Sequence, residues 1–408
     1  MSGENEFGRY LARLRREAGK SQRRLAEALC DISGRDTVTR HEVSRWERGG
    51  RVPTSWLPHL ATVLSVPLDR LERVLANSAH ETDLMPEPSP QLVLSDLLPQ
   101  TDEWQANAAG RRIGKEAAEH LAARAHALRL ADDVIPSHDL VTPAFRELRA
   151  AVRLYRETSH SEEIGKALLS AIGEFAQITG WIASDAGRHR QAEEIYRLGL
   201  SAARQAGDPG LVANLAGSLA YQHANTGREA EAINLARAAQ QEAETAHPTV
   251  QALALDRVAW AATKTGDTQT AIRALGDAHE AIARSALSDP PDWAYWVSDD
   301  ELGVMDARVY TELQRPLRAV PLLTKILSRY DAAHTRELAL YLSWLAVALT
   351  DANEPEEAAK TASRMLDLAE DFPSERTADR GRVVLAKLEP YRQDVSEVRD
   401  LFDRHSAA

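Results

Sequence analysis

The sequence predicts an all-α protein with an N-terminal helical bundle, a proline-rich linker and a C-terminal superhelix of helical repeats. Apolar residues recur at helical spacing, no alternation of strands and helices is visible, and one short pattern recurs five times in the second half. At 408 residues the chain exceeds the size at which a single core stops growing. We therefore predict a first domain over residues 1–76, a linker over 77–103, a helical segment over 104–180 and a repeat domain over 181–408.

The composition is that of a soluble globular protein, with 44% hydrophobic and 27% charged residues. No apolar run approaches the roughly 18 residues that span a bilayer, and the N-terminus lacks the apolar core of a signal peptide. The single cysteine, Cys30, excludes an intramolecular disulfide and fits a reducing compartment. We expect a cytoplasmic protein that makes no membrane contact.

Charge is distributed unevenly along the chain. Residues 1–76 carry 14 Lys and Arg against 10 Asp and Glu, whereas the remainder carries 35 against 51, which gives the formal net charge of −12. A modestly basic N-terminal domain followed by an acidic remainder is typical of a protein that presents one face to phosphates. We expect the first domain to contact nucleic acid and the rest of the chain to avoid it.

The first domain reads as five short helices. Ser21 is a predicted N-cap for the second helix, and Thr39, with Glu42 three residues later, forms a predicted capping box for the third. Val43 and Trp46, spaced by three, are expected to point into the core. Two more helices, near residues 54–64 and 68–75, complete the predicted bundle.

Two stretches of this domain carry a family resemblance over about 70 residues. They are Ser21-Gln22-x-x-Leu25-Ala26 and Val38-Thr39-x-x-x-Val43-Ser44-Arg45-Trp46-Glu47-Arg48-Gly49, followed by Pro53. The pattern resembles the lambda-repressor-like (Cro/XRE-type) helix-turn-helix family. In such domains the recognition helix lies in the major groove of DNA, with its N-terminal part against the bases.

The resemblance implies two sets of DNA contacts. Those at base edges are Arg40, His41, Ser44 and Arg45, and those at phosphates are Gln22, Arg48 and Arg51. An arginine fork suits O6 and N7 of guanine and is worth about 1–3 kcal/mol of discrimination. The alternative is that Arg45 and Arg48 are solvated helix charges and that His41 is a bystander.

The segment between Leu29 and Thr39 is several residues longer than the tight turn typical of the family. Either the second helix runs on to Ser33, with Gly34 as its C-cap, or a loop bulges out beside the DNA. In the second case Arg35 becomes a candidate backbone contact.

After the linker, which contains four prolines between residues 86 and 99, the chain is rich in helix formers. We predict one long helix over residues 104–130, then helices near 143–157 and 161–185. The Arg-Arg-Ile-Gly-Lys run at residues 111–115 lacks the spacing and the preceding strand of a phosphate loop.

A repeat is visible in the second half. A turn residue is followed five positions later by alanine, and these alanines are separated by 40, 39, 48 and 39 residues. Another small residue precedes each turn residue by seven positions, which allows paired helices to approach closely. The turn residues are Gly187, Gly227, Gly266, Gln314 and Asn353; the alanines are Ala192, Ala232, Ala271, Ala319 and Ala358; the preceding small residues are Gly180, Ala220, Ala259, Ala307 and Ala346.

This pattern resembles tetratricopeptide (TPR) repeats, although the period exceeds the usual 34 residues. In such repeats the position after the first small residue faces a concave groove, and here it holds Trp181, Tyr221 and Trp260, then Arg308 and Val347. The resemblance implies that four polar residues lie on the same surface: Asn214, Asn225, Asp256 and Lys264. Either these residues line an effector groove or the aromatic rings simply fill a tightly wound superhelix. The insertion at residues 290–296 either folds over the groove or lengthens a helix.

No zinc, nucleophile-elbow or dinucleotide-binding motif is present, so we expect no enzyme, no metal and no cofactor. The resemblance implies a transcriptional regulator that binds a double-stranded DNA operator, with a TPR-like domain for homodimerisation, for sensing a peptide, small-molecule or protein effector, or for both. The alternative is a TPR adaptor that captures a protein partner and binds DNA weakly.

Overall fold

A computed structural model describes residues 3–33, 38–47, 53, 56–64, 66, 68, 71, 104–285, 289–329, 335–371 and 375–405. The chain divides into two compact units, Met1–Gln91 and Leu92–Ala408. The described residues form eighteen α-helices and one pair of two-residue strands, which confirms the all-α prediction.

The first unit is a small helical bundle. Its described helices are α1 (Gly3–Glu17), α2 (Gln22–Ser33), α3 (Arg40–Glu47) and α4 (Leu57–Val63). Both predicted N-caps are present, because Ser21 Oγ accepts from the backbone N–H of Arg24 at 3.1 Å and Thr39 Oγ1 from that of Glu42 at 3.3 Å. Helix α2 runs to Ser33, as in the first of the two alternatives for this segment.

Several predicted features of the first unit lie wholly or partly outside the described residues. The fourth helix is described over Leu57–Val63, and residues 54 and 55, where the sequence predicts its start, lie outside the described residues. The fifth lies largely outside the described residues, as do Gly34, Arg35, Arg48 and Arg51 and the linker through residue 103. The core is built as predicted around Val43 and Trp46, which are buried with Phe7, Leu11, Leu25, Leu29 and Leu60.

The second unit contains the remaining fourteen helices. In order they are α5 (Lys115–Val134), α6 (Ser137–Glu157), α7 (Glu162–Asp185), α8 (His189–Ala206), α9 (Pro209–Asn225), α10 (Glu229–Glu242), α11 (Pro248–Lys264), α12 (Thr268–Ala283), α13 (Asp299–Glu312), α14 (Pro316–Leu327), α15 (Thr335–Asp351), α16 (Pro355–Asp371), α17 (Glu375–Leu388) and α18 (Ser396–His405). None of the helices in the described part of the chain is long and apolar enough to cross a membrane.

The predicted helix over residues 104–130 is wrong at its start. Residues Arg111–Arg112 form strand β1, which pairs in parallel with β2 (Thr158–Ser159), and α5 begins only at Lys115. Gly110 packs so tightly on the end of α6 that an added Cβ would lie 2.2 Å from the carbonyl oxygen of Glu157. The helical prediction failed here because tertiary contacts override local propensity.

Helix α6 begins at Ser137, six residues before the predicted position near Pro143, and carries that proline inside its second turn. Ahead of β1, Trp104 donates from its indole N–H to Ser201 Oγ at 3.2 Å. This contact attaches the start of the described second unit to helix α8.

The predicted turn residues all separate paired helices. Each of the five adopts a left-handed backbone, with φ of 74° at Gly187, 81° at Gly227, 79° at Gly266, 54° at Gln314 and 62° at Asn353. The five predicted alanines after these turns are fully buried, and so are the small residues before them. The second unit is therefore a stack of helical hairpins that approach closely at small side chains.

The long spacing between the third and fourth hairpins is an insertion, because α13 begins only at Asp299. It contains a short 3₁₀ turn at Asp292–Ala294, and Trp293 is buried. The next residue, Tyr295, donates its hydroxyl to Asp133 Oδ2 on α5 at 2.6 Å. The insertion thus folds back onto α5, the first described helix of this unit, instead of lengthening a later one.

Distant parts of the second unit also meet. Arg376 on α17 lies 2.9 Å (Nε) from Asp185 Oδ1 on α7, and its guanidinium stands 5.1 Å from the ring centre of Trp181. Helix α5 packs against α15. The stack therefore curves until its late helices touch its early ones, and it encloses a cavity.

Candidate nucleic-acid interface and ligand cavity

Helix α3 presents its polar side to solvent. Arg40, His41 and Arg45 are exposed and Ser44 is half-buried, while Val43 and Trp46 occupy the opposite, buried side. Arg45 Nη1 lies 3.3 Å from Glu42 Oε1, and the arginine side chain is 53% exposed. Because such surface pairs contribute little, Arg45 can leave Glu42 for a base edge at small cost.

A buried carboxylate fixes the end of α3. Glu47 accepts hydrogen bonds from Arg15 Nε at 2.5 Å and from Gln22 Nε2 at 2.6 Å, and its side chain is 7% exposed. Arg15 also donates to the carbonyl oxygen of Lys20 at 2.8 Å. Charge-assisted bonds of this kind tie α3 to both preceding helices.

Close backbone packing assists this network. An added Cβ on Gly8 would lie 2.5 Å from the carbonyl oxygen of Glu47, so α1 and α3 can approach this closely only with glycine there. The sequence did not predict that Arg15, Glu47 and Gly8 hold α3 in place. Glu47 was noted there only as part of the family motif.

Comparison with known proteins bears on this unit. Residues 6–74 match a helix-turn-helix domain. No curated protein matches the chain. The match covers most of α1 and all of α2 to α4, so the first unit contains a helix-turn-helix domain, which supports DNA binding.

A cavity of about 700 Å³ lies inside the curved helical stack of the second unit. Its wall includes four of the seven predicted groove residues: Trp181, Asn214, Tyr221 and Asn225. Arg308, at the same repeat position as Trp181 and Tyr221, is also on the wall. Sites for small organic molecules have similar volumes.

The other three predicted groove residues lie outside the cavity wall. Trp260 is buried in the core, and Lys264 stands over its ring at 4.7 Å. Asp256 is buried beside Arg257, with 3.1 Å between Oδ2 and Nη1. Part of the aromatic series thus fills the superhelix and part lines the cavity.

Four aromatic rings form a continuous series from one hairpin to the next. The ring centres of Trp181 and Tyr221 are 5.7 Å apart and nearly parallel, those of Tyr221 and Trp260 are 6.3 Å apart, and those of Trp260 and Trp344 are 5.6 Å apart and perpendicular. Trp344 was missed because it lies three residues before the expected position, Val347. One turn of helix separates the two, so scanning the same helix face would have found it.

Arginines cover these rings. Arg308 lies 4.6 Å from the ring centre of Trp260 and 5.3 Å from that of Tyr221, and Arg257 lies 4.8 Å from that of Tyr221. Arg380 stands 3.6 Å above the ring centre of Trp344. Stacking of guanidinium on aromatic faces is favourable and most valuable when the cation is desolvated.

The arginines change the acidity of Tyr221. Burial alone would raise the pKa of its hydroxyl, but Arg308, Arg376 and Arg257 outweigh burial and lower the pKa to about 8. Arg308 also donates to this hydroxyl at 2.7 Å. Burial in turn lowers the pKa of Arg380 to about 10. Tyr221 therefore lies in a local environment dominated by arginine side chains.

Proposed function

We propose that the protein is a sequence-specific transcriptional regulator of the XRE type. The match of residues 6–74 to a helix-turn-helix domain carries this proposal. The first unit would bind a double-stranded DNA operator through α3. The TPR-like second unit would mediate homodimerisation, effector sensing or both.

The exposed side of α3 supports base reading. Arg40, His41 and Arg45 would contact base edges in the major groove, with Ser44 beside them. Gln22 would contact phosphate, together with Arg48 and Arg51, which lie outside the described residues. The amide nitrogen of Gln22 already donates a hydrogen bond to Glu47. Gln22 would therefore contact the phosphate through its second amide hydrogen, or after the bond to Glu47 has broken.

The cavity in the second unit supports effector sensing over capture of a protein partner. Trp181, Tyr221 and Arg308 face a space inside the helical stack, whereas a docking surface for a folded partner would lie on its outside. A small effector, or the side chain of a peptide, would therefore be the bound species.

The operator is found by selecting bound DNA from a random pool with the purified full-length chain. We expect one enriched sequence and, for a homodimer, two half-sites about one helical turn, or a multiple of it, apart. Arg40→Ala and Arg45→Ala should each cost about 1–3 kcal/mol on the selected site and relax preference at one position. Gln22→Ala should weaken binding to all sequences alike.

Arg23→Ala is a matched control, because Arg23 is an exposed arginine of α2 whose side chain is 81% exposed and pairs only with its neighbour Glu27 among the described residues. It should leave base preference unchanged. Equal binding of the wild type to the selected site and to a scrambled site would refute the proposal, and so would a failure of the pool to converge.

A further inference from the structure

Arg308 and Arg380 are two of the arginines on the cavity wall. Within the described part of the chain, neither Arg308 nor Arg380 forms an ion pair. Arg308 donates to the hydroxyl of Tyr221, and Arg380 Nε donates to Ser343 Oγ at 3.1 Å. The Nε atom of Arg308 and the Nη2 atom of Arg380 are buried and have no hydrogen-bond partner among the described residues.

Several other charged groups of the same wall have partners. Arg329 Nη2 lies 2.7 Å from Asp300 Oδ1, and Arg376 pairs with Asp185. Glu301 accepts from the hydroxyl of Tyr341 at 2.6 Å. Arg308 and Arg380 differ from these groups because neither is paired with an acidic residue within the described part of the chain.

Glu312 is the acidic group that acts on Arg380, and it is already engaged, because Lys264 Nζ lies 3.0 Å from its Oε2. A buried cation without a counter-ion costs free energy unless a partner supplies the missing charge and hydrogen bonds. Trp344, whose ring centre lies 5.5 Å from the Arg308 guanidinium and 3.6 Å from that of Arg380, offsets only part of this cost.

Apolar side chains form another part of the cavity wall. Val304, Met305, Ile326 and Leu340 all line the cavity, and Val304 and Met305 lie on the same helix, α13, as Arg308. A ligand that matches this wall has one anionic end and an apolar body, because the two requirements lie side by side.

We propose that the cavity binds a small organic anion, with its carboxylate or phosphate held by Arg308 and Arg380 and its apolar body against Val304, Met305, Ile326 and Leu340. The identification of this anion as the effector rests on the proposed function as a regulator. Guanidinium forks bind carboxylate and phosphate through paired, charge-assisted hydrogen bonds.

The site can be tested with two fluorescent probes of nearly the same body, using the full-length protein. One is 8-anilinonaphthalene-1-sulfonate, an anion, and the other is N-phenyl-1-naphthylamine, which lacks the sulfonate. We expect the anionic probe to bind at one saturable site at least tenfold more tightly than the neutral one. Equal affinities would overturn the proposal.

Variants locate the site. Arg308→Gln and Arg380→Gln should each weaken the anionic probe at least tenfold and leave the neutral probe unchanged, whereas Arg308→Lys and Arg380→Lys, which keep the charge, should retain more of the affinity. Arg329→Gln is the matched control, because this arginine at the cavity wall is already paired with Asp300. An equal loss in the control would overturn the proposal. The lysine variants keep the test valid if a glutamine variant fails to fold.

Competition identifies the anionic group. Displacement of the anionic probe by 1-naphthoate indicates a carboxylate ligand, and displacement by 1-naphthyl phosphate indicates a phosphate ligand. Equal displacement by neutral 1-naphthol would overturn the anion site. DNA binding is measured on the same samples, so that the two proposals can fail separately. If the protein binds the selected DNA but shows no preference for the anionic probe, only the anion site is refuted. If it prefers the anionic probe but does not bind DNA, only the proposed function as a regulator is refuted.

Discussion

At the scale of single residues, the cavity depends on arginines that come from distant parts of the sequence. Tyr221 on α9 is contacted by Arg257 from α11 and Arg308 from α13, and Arg376 from α17 acts on it electrostatically. The Trp181 and Trp260 rings flank it within the aromatic series. Its surroundings are therefore cationic and aromatic, and they favour the phenolate.

This environment predicts an unusual titration. One of the nine tyrosines should ionise near pH 8, about two units below the ordinary value of about 10. Phenolate absorbance during a pH titration measures it. Tyr221→Phe should remove that step, and Arg308→Gln should move it to higher pH because it removes a cation and a hydrogen-bond donor.

The same shift affects stability. Because the folded-state pKa lies below the unfolded value, ionisation of Tyr221 stabilises the fold as pH rises from about 8 to about 10, and this contribution is lost as pH falls through 8. Tyr310→Phe is a control that should leave the step near pH 8 in place. A titration in which all tyrosines ionise near 10 would contradict the assignment.

The sequence could predict some of these residues but not their partners. Trp181 and Tyr221 follow from the repeat register, because each comes one position after a small residue. Arg376 and Arg380 carry no such signal: they lie beyond the last predicted turn and reach the cavity only because the stack curves back. Contacts at a separation of almost two hundred residues are not visible in local spacing.

At the scale of secondary-structure elements, the hairpin turns are the most constrained positions. A Cβ added to Gly227, where φ is 81°, would meet no atom within 4 Å, so the cost of a side chain there is conformational alone. Gly276, inside α12, also has open space but no positive φ. Because neither position is crowded, a comparison of the two isolates the effect of the positive φ.

These glycines give a matched pair of substitutions. Gly227→Ala should destabilise the second unit by roughly 1–2 kcal/mol, the cost of a left-handed conformation with a Cβ. Gly276→Ala should stabilise it by about 0.5–1 kcal/mol, since alanine is the better helix former. Urea denaturation measures both, and effects of the same sign would contradict the explanation.

In the first unit, Glu47 joins helix α3 to helices α1 and α2. Glu47→Gln should weaken the attachment of α3 to α1 and α2 by about 1.5–3 kcal/mol, because bonds from Arg15 and Gln22 to a charged acceptor are lost or weakened. Hydrogen exchange of peptides from α3 in the full chain measures the change.

Glu27→Gln provides the comparison, since its pair with Arg23 is exposed on α2 and contributes at most about 0.5 kcal/mol. If both variants changed exchange in α3 equally, Glu47 would have no special role. The N-caps and core positions of this unit were predictable from the sequence, whereas this network was not, because it joins three helices through side chains alone.

The failed prediction at residues 104–114 has a similar cause. Its composition favours helix, yet Gly110 and the bridge between Arg111–Arg112 and Thr158–Ser159 hold an extended segment there. Nothing in the local sequence specifies a partner 47 residues away. The hairpins that follow were predictable because each is built from contacts between neighbouring helices.

At the scale of the whole molecule, the sequence predicted an all-α chain with a DNA-binding first part and a helical second part. The compact units, Met1–Gln91 and Leu92–Ala408, place residues 104–180 in the same unit as the repeats. Their buried side chains form one core with those of the repeats, including Leu168, Phe175, Leu219 and Trp260.

The contact between Arg376 and Asp185 has a consequence for how the second unit unfolds. In an open solenoid, each repeat touches only its neighbours, so the array can unravel from one end. Here α17 is joined to α7. We expect the two helices to open together, with the same free energy of opening in hydrogen exchange.

Arg376→Gln should uncouple the two helices, so that the free energy of opening of α17 falls below that of α7 by as much as about 3 kcal/mol. This value is the low end of the range for a buried ion pair, because the arginine side chain is 25% exposed. Arg190→Gln, which removes a local pair with Glu194, should preserve joint opening. Much faster exchange of α17 than of α7 in the wild type would show that the ends are independent. If they are coupled, this repeat array unfolds cooperatively, as a globular domain does.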